Sequence, residues 1–158
     1  MDDLEKTKKA ALRLLSFRPR SENELRDRLK RKKLPAESID RTVEYLFKER
    51  MLDDEKFARL YALSRMQSRA FGKGRVRREL ALRGVCASLA NDTMRAIEDM
   101  DEADVAMELA QKRLAAMKGL PREAKKRRLH GFLMRRGFGT GVIFKVLEIL
   151  LGVAEEIE

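Results

Sequence analysis

Residues 76–97 decide the fold, and they read VRRELALRGVCASLANDTMRAI. Val76 and Leu80 are four residues apart, as on one face of a helix, and the step of five to Val85 breaks the helical phase. The apolar residues after Val85 resume helical spacing. The stretch therefore predicts a helix, a turn and a second helix.

The same apolar series occurs three times in the chain, once 51 residues earlier and once 53 residues later. All six positions are apolar in each copy: Leu25, Leu29, Leu34, Ile39, Val43 and Leu46; Val76, Leu80, Val85, Ala90, Met94 and Ile97; Leu129, Leu133, Phe138, Ile143, Leu147 and Leu150. This self-similarity predicts three tandem repeats. The alternative is a compact bundle whose spacing agrees by coincidence.

A preceding helix completes each repeat, at about residues 4–17, 54–68 and 101–117. No stretch shows the alternation and β-branched enrichment of a strand. We therefore expect an all-α fold of three three-helix repeats, divided as 1–50, 51–99 and 100–158. The last repeat carries an acidic tail with Glu155, Glu156 and Glu158.

Turn and cap signals agree with this division. The turns are Lys33-Leu34-Pro35, Arg83-Gly84-Val85 and Arg136-Gly137-Phe138, which place glycine at a helix end or proline at a helix start. Ser21 with Glu24 predicts a capping box, and Asp53-Asp54 predicts carboxylates at the positive end of a helix dipole.

The charge of the chain favours a polyanionic partner. Its 158 residues contain 36 Lys and Arg against 26 Asp and Glu, a net charge of +10, while 44% of residues are apolar, enough for a core. Basic residues concentrate at 18–33, 65–83 and 112–136, whereas 92–108 is acidic. A run of charge is usually a solvated helix face, but three basic segments at one position of three repeats favour nucleic-acid binding.

The basic residues of the middle helices are the candidate contacts. Arg75 and Arg78 are predicted on the side of their helix opposite Val76 and Leu80. Such contacts to phosphate would be independent of sequence and sensitive to salt. Phe71 could be an exposed aromatic, but packing is the favoured role. The candidate phosphate- or DNA-binding residues are Arg31, Lys73, Arg75, Arg77, Arg78, Arg128 and Arg135.

Motifs for chemistry are missing from the sequence. With Cys86 and His130 as the only residues of their types, we expect no internal disulfide, no zinc site and no nucleophile–base pair. Gly72-Lys73-Gly74 lacks the rest of a phosphate-binding loop. The acidic pairs at 53–54 and 99–102 are better explained as helix caps than as acid–base or metal groups. We expect no cofactor, no enzymatic activity, and a soluble, cytoplasmic protein without a membrane segment.

Four motifs together resemble the RecX family, whose members regulate bacterial RecA recombinase. They are ALRLL at 11–15 followed by Arg18 and SENEL at 21–25; MLDDEKFA at 51–58 with Tyr61; GKGRVRRELALRGV at 72–85; and LMRRGF at 133–138 with Ile143, Val146 and Leu147. The resemblance covers residues 8–151, and the two central motifs are the most specific.

The resemblance implies an elongated, curved array that lies in the groove of a RecA filament on single-stranded DNA. It implies a negative regulator, acting as a monomer and without chemistry of its own, that reduces ATP hydrolysis, strand exchange and coprotease activity. Partners would be the RecA filament and single- and double-stranded DNA. Two alternatives stay open, a sequence-nonspecific DNA-binding protein and a general repeat adaptor.

Overall fold

A computed structural model describes residues 2–97 and 102–152, and all regular structure in these ranges is helical. The expected all-α fold of three three-helix repeats is confirmed. The helices in the described ranges are α1 (Asp3–Phe17), α2 (Glu22–Arg31), α3 (Ala36–Lys48), α4 (Asp54–Ser68), α5 (Lys73–Leu82), α6 (Ala87–Ala96), α7 (Glu102–Ala115), α8 (Arg122–Arg136) and α9 (Thr140–Leu151). The predicted start at Asp101, the carboxylates at 99–101 and the acidic tail lie outside the described residues.

The repeated apolar series forms the interior of the protein. Of its eighteen members sixteen are buried, and Leu34 and Leu150 are partly buried. Their burial stabilises each repeat by the hydrophobic effect, at about 1.5–3 kcal/mol for a large side chain taken fully out of water. The spacing seen in the sequence is therefore the spacing of core positions.

The described chain divides into two compact units. One contains the residues up to Ala62 together with Glu79–Thr93, and the other contains Leu63–Arg78 together with the described residues from Met94 onward. In the first unit α1, α2 and α3 pack on one another, and in the second α7, α8 and α9 do so. The division does not follow the repeats, so the domain limits 1–50, 51–99 and 100–158 stay a prediction.

One turn geometry joins the second and third helices of every repeat. Gly84 (φ 80°), Gly137 (φ 91°) and Lys33 (φ 59°) occupy the same position and have left-handed backbone. The next residue's N–H donates to the carbonyl five residues back, from Leu34 to Leu29, Val85 to Leu80 and Phe138 to Leu133. This is the Schellman helix ending, which favours glycine. The first repeat makes the turn with a lysine and begins α3 after Pro35.

The turns of the second and third repeats also contact the start of the preceding repeat's middle helix. Gly72 and Gly74 donate their N–H groups to the carbonyls of Arg136 and Gly137, at 2.8 and 3.1 Å. A Cβ on Gly72 would lie 2.5 Å from the backbone of Gly137, so only glycine permits this approach. The GKG stretch thus packs against backbone, and these two N–H groups are not available to a phosphate.

The equivalent contact in the first compact unit uses side chains. The Ser21 hydroxyl donates to the Arg83 carbonyl, and the Asn23 amide donates to the Gly84 carbonyl at 2.9 Å. Ser21 and Asn23 occupy the positions of Gly72 and Gly74, 51 residues earlier. The same pair of helix start and turn therefore meets in both units.

Acidic residues at the start of one repeat cap the middle helix of the repeat before it. Asp53 caps its own helix by accepting the Lys56 N–H at 3.1 Å, but Asp54 accepts the N–H of Glu22, the first residue of α2, at 2.9 Å. Glu102 likewise accepts the Lys73 N–H at 2.6 Å at the start of α5. Burial raises the pKa of Asp54. The expected cap at Asp53-Asp54 is thus shared between two helices.

Glu24 forms only half of the predicted capping box. Its N–H donates to the Ser21 hydroxyl at 3.2 Å, but its carboxylate binds the guanidinium groups of Arg18 and Arg83. The Glu24 side chain is only 15% exposed. Burial acts to raise its pKa, but the hydrogen bonds from Arg18 and Arg83 outweigh burial and hold the pKa below its ordinary value.

The strained turn in the first repeat predicts a stabilising substitution. Lys33→Gly should raise the free energy of unfolding by about 0.5–1 kcal/mol, because relief of left-handed strain exceeds the added freedom of the unfolded chain. The control Lys32→Gly, at φ −79°, should lower it by about 0.5–1 kcal/mol. Urea unfolding followed by circular dichroism measures both. A Lys33→Gly protein no more stable than the parent would contradict this account.

The doubly bound carboxylate predicts a pH-dependent contribution to stability. Because the folded protein lowers the pKa of Glu24, its contribution is present above the ordinary pKa of 4.5 and is lost as pH falls through the folded value. Glu24→Gln should therefore destabilise the protein at neutral pH, and the difference from the parent should shrink in acid. Glu22→Gln, which removes a carboxylate bound to Arg26 alone, is the control. A difference independent of pH would disprove the assignment.

Candidate nucleic-acid interface

Helix α5 presents two arginines away from its core side. Val76 and Leu80 are fully buried, whereas Arg77 and Arg78 are exposed. Within the part of the chain that the structure describes, neither makes an ion pair. Two guanidinium groups are therefore free to bind phosphate oxygens at this helix.

Arg75 does not share that exposed position. It is half-buried, its guanidinium carbon lies 3.6 Å from the centre of the Phe71 ring, and Nη1 is 3.4 Å from the Arg135 carbonyl oxygen. Phe71 is itself buried, at 9% exposed, as the packing interpretation expected. The expectation that Arg75 points outward is wrong, because an aromatic face and a carbonyl hold it against the protein. Its charge is partly exposed, and its role as a DNA contact stays a prediction.

Helix α8 supplies a second basic face. Arg127, Arg128 and Arg135 lie with Gly131 on one side of the helix, since their spacings of three, four, seven and eight residues repeat the helical turn. With residues of α7 and the segment after it they line a surface cavity of about 420 Å³, which we term the arginine groove. Its lining residues are Arg113, Ala116, Met117, Arg127, Arg128, Gly131 and Arg135.

The structure brings together only some of the predicted contact residues. Arg128 and Arg135 line the arginine groove, and Arg77 and Arg78 are exposed on α5. Lys73 is half-buried at the start of α5.

Arg31 lies in another setting. It is exposed in the last turn of α2, beside Arg28 and Lys30. Positive charge there is favourable to the helix dipole without any ligand.

Sequence reasoning missed Arg113 and Arg127 as members of the groove. The signal for Arg127 was present, because it is four residues before Gly131 and eight before Arg135. Arg113 carried no such signal. It lies on α7, and its guanidinium carbon is 5.1 Å from the centre of the Phe132 ring, so packing of α7 on α8 brings it to the groove.

His130 and Cys86, considered from the sequence as possible catalytic or metal-binding residues, have ordinary side-chain contacts in the structure. His130 meets the edge of the Phe144 ring, with centroids 6.4 Å apart. Cys86 is exposed, and a hydrogen bond with Ser88 lowers the pKa of its thiol. Across residues 2–97 and 102–152, no three His, Cys, Asp or Glu side chains are grouped to hold a metal ion. Nor does any helix in those ranges have the length and apolar character to cross a membrane.

Family models match the chain along most of its length. They describe the first, second and third three-helix domains of RecX, and they match residues 8–46, 53–94 and 100–147.

Curated proteins named "Regulatory protein RecX" are similar over nearly the whole chain. The Streptomyces lividans protein is 30% identical over 92% of this chain and 78% of its own. The Thermobifida fusca protein is 33% identical over 93% and 76% of the two chains. The Prosthecochloris aestuarii protein is 32% identical over 94% and 96%.

A solved structure has the same fold. The crystal structure of RecX from Lactobacillus salivarius covers 94% of this chain and 97% of its own, with a TM-score of 0.87 at 22% identity. Because three RecX domain models match most of the chain, and RecX proteins at least 30% identical to it match over nearly its whole length, the chain belongs to the RecX family.

Proposed function

We propose that this protein is a negative regulator of RecA recombinase that binds the RecA–DNA filament through the arginines of α5 and α8. Family membership along the chain supports the regulatory role. The observation that carries the mode of binding is the set of exposed arginines without acidic partners among the described residues, above all Arg77, Arg78, Arg128 and Arg135.

The chemistry of these arginines suits binding to a nucleic acid through its phosphates, independently of base sequence. A guanidinium offers paired donors in the geometry of phosphate oxygens. The chain contains no tryptophan for base stacking, and Phe71, just before α5, is buried, whereas the exposed phenylalanines Phe17, Phe47 and Phe144 lie on α1, α3 and α9 and not on α5 or α8. Contacts of this kind position a protein on the phosphate backbone and leave sequence unread. The DNA held in a filament, single- or double-stranded, is a target of this chemistry.

Inhibition would follow from occupancy. A regulator bound along the filament excludes incoming duplex DNA and other proteins from the same surface, and it disturbs the subunit contacts on which ATP hydrolysis depends. Strand exchange, ATP hydrolysis and coprotease activity would fall together. In this proposal the regulator makes and breaks no bond and therefore needs no cofactor. The proposal also takes the protein to act as a monomer in the cytoplasm.

The second candidate is a sequence-nonspecific DNA-binding protein that acts without RecA. The same unpartnered arginines favour it, since they would bind the phosphates of bare DNA as readily as those within a filament. The two candidates differ in whether RecA-coated DNA binds better than DNA alone.

The proposal predicts charge-reversal effects confined to the exposed face. The parent protein should slow DNA-dependent ATP hydrolysis by RecA, and Arg77→Glu with Arg78→Glu should weaken this inhibition at least about tenfold, because each arginine loses a charge-assisted contact. Lys9→Glu with Arg13→Glu makes the same charge change on exposed positions of α1 and should alter inhibition little.

The measurements are a RecA ATPase titration and filament binding against bare DNA at several salt concentrations. Circular dichroism confirms that both double variants keep their helical content. No inhibition by the parent protein would remove the RecA proposal. Equal affinity for bare and RecA-coated DNA would favour the second candidate.

A further inference from the structure

We propose that the arginine groove is a phosphate site for the backbone of a nucleic-acid strand, with Gly131 as its floor. The inference rests on the proposed nucleic-acid contact and adds to it a location, two further arginines and a glycine. The groove's volume of about 420 Å³ falls within the range of about 300–1,000 Å³ of protein ligand pockets.

The charge of the groove calls for an anion. Four arginines, Arg113, Arg127, Arg128 and Arg135, line one cavity, and the lining includes no carboxylate. None of the four forms a salt bridge with any residue of 2–97 or 102–152. Like charges held this close repel one another, and a bound phosphate relieves the repulsion while accepting paired N–H donors.

The position of Arg128 in the repeat supports a ligand role. It is equivalent to Glu24 and Arg75 in the first and second repeats, by the shifts of 51 and 53 residues. Glu24 binds Arg83, and Arg75 packs on Phe71, so those two positions are satisfied by protein. In the third repeat the position holds an arginine that lines the groove.

The remaining lining residues favour the strand's backbone over its bases. Ala116, Met117 and Gly131 offer no side-chain hydroxyl, amide or aromatic ring. These three side chains therefore supply no aromatic stacking partner and no strong hydrogen-bond acceptor for a base. Phosphate oxygens, by contrast, can be bound by each arginine of the groove.

Gly131 is placed where a side chain would obstruct the groove. It lies inside α8, although glycine in a helix interior is destabilising relative to alanine. A Cβ at this position would lie 3.1 Å from Arg135 Nη1, closer than ordinary van der Waals contact. The glycine thus leaves space for the Arg135 guanidinium in its present position, and a larger side chain would displace that guanidinium.

The test measures fluorescence anisotropy of a labelled oligothymidylate with the full chain. Arg127→Ala with Arg128→Ala removes two charges from the groove. Lys125→Ala with Lys126→Ala removes two charges from the same helix outside the lining. Gly131→Leu fills the groove without changing charge and, as a better helix former, should keep α8 folded. Thermal unfolding by circular dichroism verifies each fold.

We expect the arginine pair and Gly131→Leu each to weaken strand binding about tenfold or more, and the lysine pair to weaken it about threefold or less, as loss of long-range attraction alone would do. The arginine pair should also flatten the slope of log affinity against log salt by about 1.4, since each contact to a single strand contributes about 0.7. If the arginine and lysine double variants lost the same affinity and Gly131→Leu lost none, the groove proposal would be wrong, and binding would depend on diffuse electrostatic attraction.

Competition identifies the source of the phosphate. An abasic oligonucleotide should displace the labelled strand as well as one with bases does. If inorganic tripolyphosphate displaced the strand at equal phosphate concentration, the ligand would be a free polyphosphate and the strand proposal would be wrong. If polyglutamate displaced the strand at equal charge, the ligand would be an acidic protein segment and the strand proposal would also be wrong. RecA ATPase inhibition, measured in parallel, tests the proposed function separately, because its absence in the parent protein leaves the strand-binding result intact.

Discussion

The contact between the turn of one repeat and the start of the preceding repeat's middle helix is the interaction on which the rest of the structure depends. It occurs in both compact units, through Ser21 and Asn23 on the Arg83–Gly84 carbonyls and through Gly72 and Gly74 on the Arg136–Gly137 carbonyls. The turn needs left-handed backbone, and the contact then uses the carbonyls that the helix end leaves without an intrahelical donor. Each helix end is thereby satisfied by the neighbouring repeat.

Carboxylates complete the same junctions. Asp54 and Glu102 each open a first helix, and each accepts an N–H from the start of the previous repeat's middle helix. Read alone, these acids resemble candidates for metal or acid–base chemistry. Their geometry shows instead that a negative charge near a helix N-terminus neutralises unpaired N–H groups and the positive end of the dipole.

Packing also divides the arginines into two classes. Arg75, Arg83 and Arg136 lie over aromatic rings, and Arg83 also binds Glu24. Their guanidinium groups therefore already interact with other groups of the protein. Among the described residues, Arg77, Arg78 and the α8 arginines of the groove have neither an acidic partner nor an aromatic ring over which they lie. Arg113 shares features of both classes, because it lines the groove without an acidic partner but also lies over Phe132. The proposed binding surface consists of the second class, and net charge alone could not separate the two.

The sequence by itself determined the helical class, the three repeats and the core positions. Burial of one helix face requires apolar residues at the helical period, so each repeat shows the same spacing of apolar residues in the sequence. It also identified the turns, because left-handed backbone selects glycine in the second and third repeats and proline marks a helix start in the first. Only the tertiary structure decided that Arg75 turns against Phe71, that Asp54 caps α2, and that Arg113 joins Arg127 in one groove. Those outcomes depend on partners that are distant along the chain. A local sequence pattern does not show which of these distant groups the packing of the helices brings close to a given side chain, least of all to a long, flexible arginine.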